Sequence, residues 1–89
     1  MSRDNSGHLR GDWTITISLD EHEGRARATA RLRGRDQESV GVGQSRLKTH
    51  DRFVAGIGDE LAVARALSDL ARHMMAAAAQ DIETVTNSQ

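Results

Sequence analysis

The chain contains no cysteine, no tyrosine and only two aromatic residues, Trp13 and Phe53, in 89. Without cysteine there are no disulfides, no thiol nucleophile and no thiolate metal site, a composition that suits a reducing compartment. With so few rings, large side chains cannot fill a deep core or wall off a sizeable ligand pocket. Alanine supplies twelve of the hydrophobic residues, so apolar volume is scarce as well. No run approaches the ~18 apolar residues of a membrane-spanning helix, and Met1 to Asp12 is too polar for a signal peptide. The expectation is a cytoplasmic protein of one domain, since a chain of this length has no room for a second. Net charge is also nearly absent, at −1. No global field therefore marks a nucleic-acid binder.

What is present is periodicity. Residues 1–12 hold Ser, Asn, Gly and mixed charge, and read as a flexible N-terminal arm. From Trp13 the pattern alternates, with Trp13, Ile15, Ile17 and Leu19 on the inward side and Thr14, Thr16 and Ser18 opposite. Asp20 to Gly24 reads as a polar hairpin loop. A second alternation sets Ala26, Ala28, Ala30 and Leu32 against Arg25, Arg27, Thr29, Arg31 and Arg33. After a turn at Gly34-Arg35-Asp36, a third strand from Gln37 to about Leu47 would direct Val40 and Val42 inward. Gly41 and Gly43 within it signal a bulge or a close backbone approach. Lys48 to Gly58 reads as a loop in which Phe53-Val54 could pair briefly with a sheet edge.

Asp59-Glu60 then opens a helix to about Val85, its two carboxylates suited to the positive end of the macrodipole. Val63, Leu67, Leu70, Ala71, Met74, Ala78 and Val85 form its apolar stripe, with Arg65, Asp69, Arg72 and Glu83 opposite. The fold class is α+β: a three-stranded antiparallel meander followed by one long C-terminal helix, β-β-β-α, in a single domain over residues 13–86 with a disordered tail at 87–89. Such a helix outruns seven-residue strands, about 39 Å against about 24 Å. The uncovered end calls for a second copy, and a homodimer with an intimate or helix-swapped interface at Leu70, Met74, Met75, Ala78, Ile82 and Val85 is expected.

Charge becomes informative when cut by segment. Arg25 to Arg52 carries eight basic residues against Asp36, Glu38 and Asp51. Arg25, Arg27, Arg31 and Arg33 share one strand face, flanked in a simple meander by Thr14, Thr16 and Ser18 on one side and Gln37, Ser39 and Gly41 on the other, with no carboxylate to neutralise them. Arginine forks and small hydroxyls suit phosphate oxygens, so these four, with Arg46 and Lys48 as outer contacts, are the candidate RNA-binding residues. A solvated strand face is the plainer alternative. With Trp13 inward and Phe53 in a loop, base stacking is disfavoured, and reading of structured RNA by shape and phosphate is favoured over single-strand recognition.

Other chemistry is poorly supported. The histidines at 8, 22, 50 and 73 fall in four segments without metal-ligand spacing. Gly41-Val42-Gly43 sits inside a strand and opens no helix, unlike a phosphate loop. Ser39, Ser45 and Ser68 lack a nucleophile elbow or a base partner. No cofactor, metal, membrane or small-molecule substrate is expected, and the chain does not read as an enzyme.

Four stretches, WTITISLDEHEGRARATARLR, VGVGQSRL, IGDELAVARALSDLARHMM and DIETVT, together resemble a small actinobacterial family of unknown function found among mycobacterial dormancy-induced proteins. The likeness spans Trp13 to Thr86. It implies a β-β-β-α fold of the double-stranded-RNA-binding-domain type, a dimer, and a shape similar to ribosome hibernation-promoting factors. The function so implied is a non-catalytic stress protein that binds the ribosome or structured RNA and slows translation in dormancy or hypoxia. A protein-interaction or regulatory module without RNA binding is the alternative. The chain departs from the family pattern at Gly34, where tryptophan is usual, and at Lys48-Thr49-His50, where Asn-Pro-Ala is common.

Overall fold

The computed structural model describes residues 7–8, 10–34, 36–46 and 52–87, with backbone alone at 52–55. Three strands, β1 (Thr14–His22), β2 (Arg25–Arg33) and β3 (Glu38–Ser45), precede one helix, α1 (Arg52–Asn87). The strands form an antiparallel sheet in the order β1-β2-β3. The expected α+β meander and long C-terminal helix are therefore present. The arm expected at 1–12 lies largely outside the described residues, as do Lys48 and the last two residues of the expected tail; Asn87 is helical.

Two boundaries differ from the sequence reading. The polar segment Asp20 to His22 is strand, and the hairpin closes through Glu23 and Gly24 alone, with φ of 54° and 74°. Positive φ at both central residues is the two-residue turn whose twist matches the flanking strands. The helix starts at Arg52, so Asp59 and Glu60 lie about two turns inside it, away from the end of the macrodipole. Arg52 to Gly58, read as part of a loop in which Phe53-Val54 could pair briefly with a sheet edge, is helical instead. Glycines at 56 and 58 masked this start, because glycine is a poor helix former in isolation. Gly58 is nevertheless helical and buried.

Register decides what faces the helix. Ile15, Ile17 and Leu19 stand opposite Leu32, Ala30 and Ala28, and Gly41 and Gly43 stand opposite Ala30 and Ala28. The inward residues of β3 are thus Ser39, Gly41, Gly43 and Ser45. Val40 and Val42, expected inward, lie on the other face beside Arg31 and Thr29. The physical reason is proximity. A Cβ on Gly41 would come within 2.3 Å of Ala66 O and Leu70 N, and one on Gly43 within 2.3 Å of Ala62 O and Ala66 N. Only a bare backbone fits beneath this stretch of α1, so glycine occupies the positions that hydrophobicity would assign to valine.

The core is consequently small: Ala28, Ala30 and Leu32 from β2 against Ala62, Ala66 and Leu70 from α1, with Ala26, Val63 and Met74 packed around them. The buried helical stripe runs through Ala62, Ala66 and Leu70, rotated from the expected one, and Leu67 and Ala71 are exposed. The helix lies over β3 and β2 and barely reaches β1. A 36-residue helix is about 54 Å long, and the chain measures 56 × 38 × 19 Å. Its radius of gyration, 17.5 Å, exceeds the ~12 Å of a compact chain of this length.

Candidate nucleic-acid interface

The outer face of the sheet is built by β2. Arg25, Arg27, Thr29, Arg31 and Arg33 alternate with the alanines that face α1, so the four predicted arginines share one face of the central strand. From β1, Thr14 faces Arg33, Thr16 faces Arg31 and Ser18 faces Thr29, as expected. From β3 the neighbours are Glu38, Val40, Val42 and Gln44, in place of the expected Gln37, Ser39 and Gly41. Arg46 follows β3 and is exposed; Lys48 lies outside the described residues.

The face is not free of carboxylates, contrary to the sequence expectation. Asp20, which the extended β1 brings opposite Arg27, accepts two hydrogen bonds from it, from Nε and Nη2, each at 3.0 Å. This fork holds the Asp20 carboxyl below its ordinary value and raises Arg27, the side-chain hydrogen bond being the largest cause in both. Glu38 lies 3.9 Å from Arg31 and 3.4 Å from Arg33. Arg25 donates to Gln44 Oε1 at 3.4 Å. Four guanidinium groups therefore face two carboxylates, and all these pairs are solvent-accessible, where ion pairs exchange partners readily. In sequence Asp20 lies in a polar run that resembles a loop, and the hydrophobicity of Val40 and Val42 sets Glu38 on the opposite face, so neither carboxylate shows as a neighbour of the arginines.

The free edge of β3 is closed by α1. Arg65 Nη1 donates to Gln44 O at 2.7 Å, Val42 N–H donates to Asp69 Oδ2 at 2.9 Å, and His73 Nδ1 donates to Val40 O at 2.7 Å. Four helical residues rise about 6 Å and two strand residues about 6.8 Å, so a helix running against the strand can place every fourth side chain on every second edge group. Arg72 pairs with Asp69 at 2.6 Å, and His73 Nε2 lies 3.6 Å from the same Asp69 oxygen. The Val42 hydrogen bond is the leading cause that lowers the Asp69 carboxyl. Arg65 and Asp69, which the helical period sets opposite the apolar stripe, are edge-closing groups. Their spacing with His73 was the available signal.

The inner face is only half covered. Ile15, Ile17 and Leu19, expected to be buried, are exposed, with Leu19 at 49%. Trp13 faces the helix side as expected but remains 64% exposed. Its ring lies 3.6 Å from where a Cβ on Gly34 would sit, beside a cavity of about 340 Å³ that Met74 and Asp81 also line. Of the expected dimer-interface residues, Leu70 belongs to the chain's own core and Met74 is half-buried. Met75, Ala78, Ile82 and Val85 are exposed, Met75 at 73%.

Among the described residues no cluster of three or more potential metal ligands occurs, and no helix is long and apolar enough to cross a membrane. Residues 11–89 match the family model described as Rv2632c-like. An uncharacterized protein of Mycobacterium tuberculosis (strain CDC 1551 / Oshkosh), MT1780, is 56% identical over 87 residues, covering 98% of this chain and 93% of that one. The uncharacterized protein Rv2632c of M. tuberculosis (strain ATCC 25618 / H37Rv) is 47% identical over 82 residues, covering 92% and 88%. The crystal structure of Rv2632c superposes with a TM-score of 0.78 at 48% identity, over 91% of this chain and 96% of that one. Sequence and fold agree across nearly the whole length, and the chain belongs to the Rv2632c-like family.

Proposed function

We propose that this protein is a non-catalytic stress or dormancy protein of the cytoplasm that acts as a homodimer and binds structured RNA, the ribosome foremost, through Arg25, Arg27, Arg31 and Arg33, slowing translation. The observation that carries this reading is the segregation of the two sheet faces. Exposed apolar residues of β1 lie on the helix side, and all four arginines lie on the other. A second copy that covers Ile15, Ile17 and Leu19 together with the overhanging Met75, Ile82 and Val85 leaves the arginines open. Covering that apolar surface is the driving force for the pair.

Thr14 and Thr16, opposite Arg33 and Arg31, add neutral donors for phosphate oxygens. Asp20 and Glu38 lower the net charge of the face without blocking it, because exposed pairs yield to a phosphate at small cost. The β-β-β-α order resembles double-stranded-RNA-binding domains and, in the dimer, ribosome hibernation-promoting factors; this is analogy of fold. Hibernation factors carry a further helix, so no contact residue is transferred from them.

The exposed β1 row favours a second reading, a protein-interaction module without RNA binding. Co-sedimentation with ribosomes at low and high salt separates the two. Phosphate contacts release counterions and give association that collapses as salt rises. Association that is absent at low salt, or indifferent to salt, supports the interaction module instead.

A further inference from the structure

Where β2 begins and β3 ends, a cavity of about 460 Å³ is lined by Arg25, Gln44, Ser45, Arg46, Leu61 and Arg65. Three guanidinium groups, from β2, from the residue after β3 and from α1, converge there, and among the described residues no carboxylate lines it. Gln44 holds two of them, its carbonyl accepting from Arg65 Nη1 at 2.7 Å and its Oε1 from Arg25 Nη1 at 3.4 Å. Each guanidinium has five N–H donors, so these bonds leave most of them unused. Ser45 is 1% exposed, and its Oγ has no hydrogen-bond partner among the described residues. A buried hydroxyl without a partner is uncommon in a folded protein and asks for an explanation. Among the described residues its surroundings hold three guanidinium groups and no carboxylate.

We propose that this cavity seats a phosphate group, with the Arg25, Arg46 and Arg65 guanidiniums on its oxygens and the Ser45 hydroxyl donating to it. Phosphate fits better than a carboxylate because several acceptor oxygens and up to two negative charges match three cations and a hydroxyl. Arg25 is shared with the outer arginine face, so the seat continues that face around the end of β3 to the helix. It rests on the RNA reading only for the phosphate's source. A backbone phosphate of bound RNA and a free phosphate compound present the same oxygens.

The test uses the full chain. Inorganic phosphate is titrated against chloride at constant ionic strength while amide resonances of Ser45 and Arg46 and the Arg65 side-chain N–H are followed. Saturable shifts at these groups are expected, weakened about ten-fold in Ser45→Ala and in Arg46→Gln and unchanged in Arg10→Gln, an exposed arginine outside both the seat and the arginine face. Arg65→Gln also loses the bond to Gln44, so the first two variants carry the result. Shifts that never saturate, or that persist unweakened in both variants, overturn the proposal. A second arm replaces phosphate by a structured RNA hairpin. If Arg46→Gln lowers the salt slope of RNA binding by about one contact, the seated phosphate belongs to RNA. If inorganic phosphate saturates the seat and the wild type binds no RNA, the seat stands and the RNA reading falls. If RNA binds while phosphate moves none of these resonances, the seat falls and the RNA reading stands.

Discussion

Asp69 Oδ2 lies 2.9 Å from the backbone nitrogen of Val42 and accepts its hydrogen bond, so a helix carboxylate closes the open edge of the sheet. An uncovered edge is a template for pairing with other strands. Here β3 is closed at Val40, Val42 and Gln44 by His73, Asp69 and Arg65, whereas α1 barely reaches β1, the other outer strand.

Because folding lowers the Asp69 carboxyl, its contribution to stability is present above the ordinary aspartate value of 3.8 and is lost as pH falls through the lower folded-state value. Asp69→Asn keeps an acceptor but removes the charge. Urea midpoints measured from pH 7 down to pH 2 should show a smaller acid-induced drop for this variant than for the wild type. At neutral pH the variant should be the less stable of the two.

Gly43→Ala should be among the most damaging single substitutions. The new Cβ meets backbone atoms of Ala62 and Ala66 at 2.3 Å, and backbone cannot rotate aside as a side chain would. Separating helix from strand also strains the edge bonds at Val42 and Gln44. A loss of about 2–3 kcal/mol is expected from chemical denaturation, at the upper end for overpacked sites. Gly7→Ala, with open space around it, is the neutral control.

Glu23 adopts φ of 54° in the β1–β2 turn, a conformation that disfavours most side chains and that asparagine tolerates. Glu23→Asn should therefore stabilise the protein by about 0.5–1 kcal/mol, measured by thermal or urea unfolding. The gain is local, and the arginine face is untouched.

A homodimer makes apparent stability depend on concentration. Unfolding midpoints should fall on dilution, and sedimentation equilibrium should give twice the chain mass at micromolar concentration. Met75→Lys tests the interface cleanly, because Met75 is 73% exposed in the single chain whereas Met74 helps to close its core. The variant should shift mass toward the monomer. Unchanged mass and unchanged concentration dependence would contradict an interface on this stretch of the helix.

The order and type of the elements were legible because alternation in Trp13–Leu19 and Arg25–Arg33 and the long helical period both follow from one-sided burial. The phase of β3 was not legible. Hydrophobicity assigns Val40 and Val42 to the interior, but the helix backbone comes so close that only Gly41 and Gly43 fit. The arginine face was read correctly on β2 and incorrectly beside it, since an error of one residue in β3 exchanges Ser39 for Glu38 as the neighbour of arginine. Asp20 was lost for a different reason: its run of polar residues resembles a loop and is strand. The edge ladder of Arg65, Asp69 and His73 depends on where the helix docks, which periodicity alone leaves open.

The salt dependence of binding to a structured RNA or to ribosomes tests the central claim most directly, with wild type compared against the Arg27→Gln, Arg31→Gln double variant. Each phosphate contact contributes about −0.7 to −0.9 to the log–log slope. Removing two guanidinium groups while keeping strand geometry should flatten the slope by roughly 1.4 to 1.8 and weaken association at any single salt concentration. An identical slope and affinity in a folded double variant would contradict the assignment of this face to RNA.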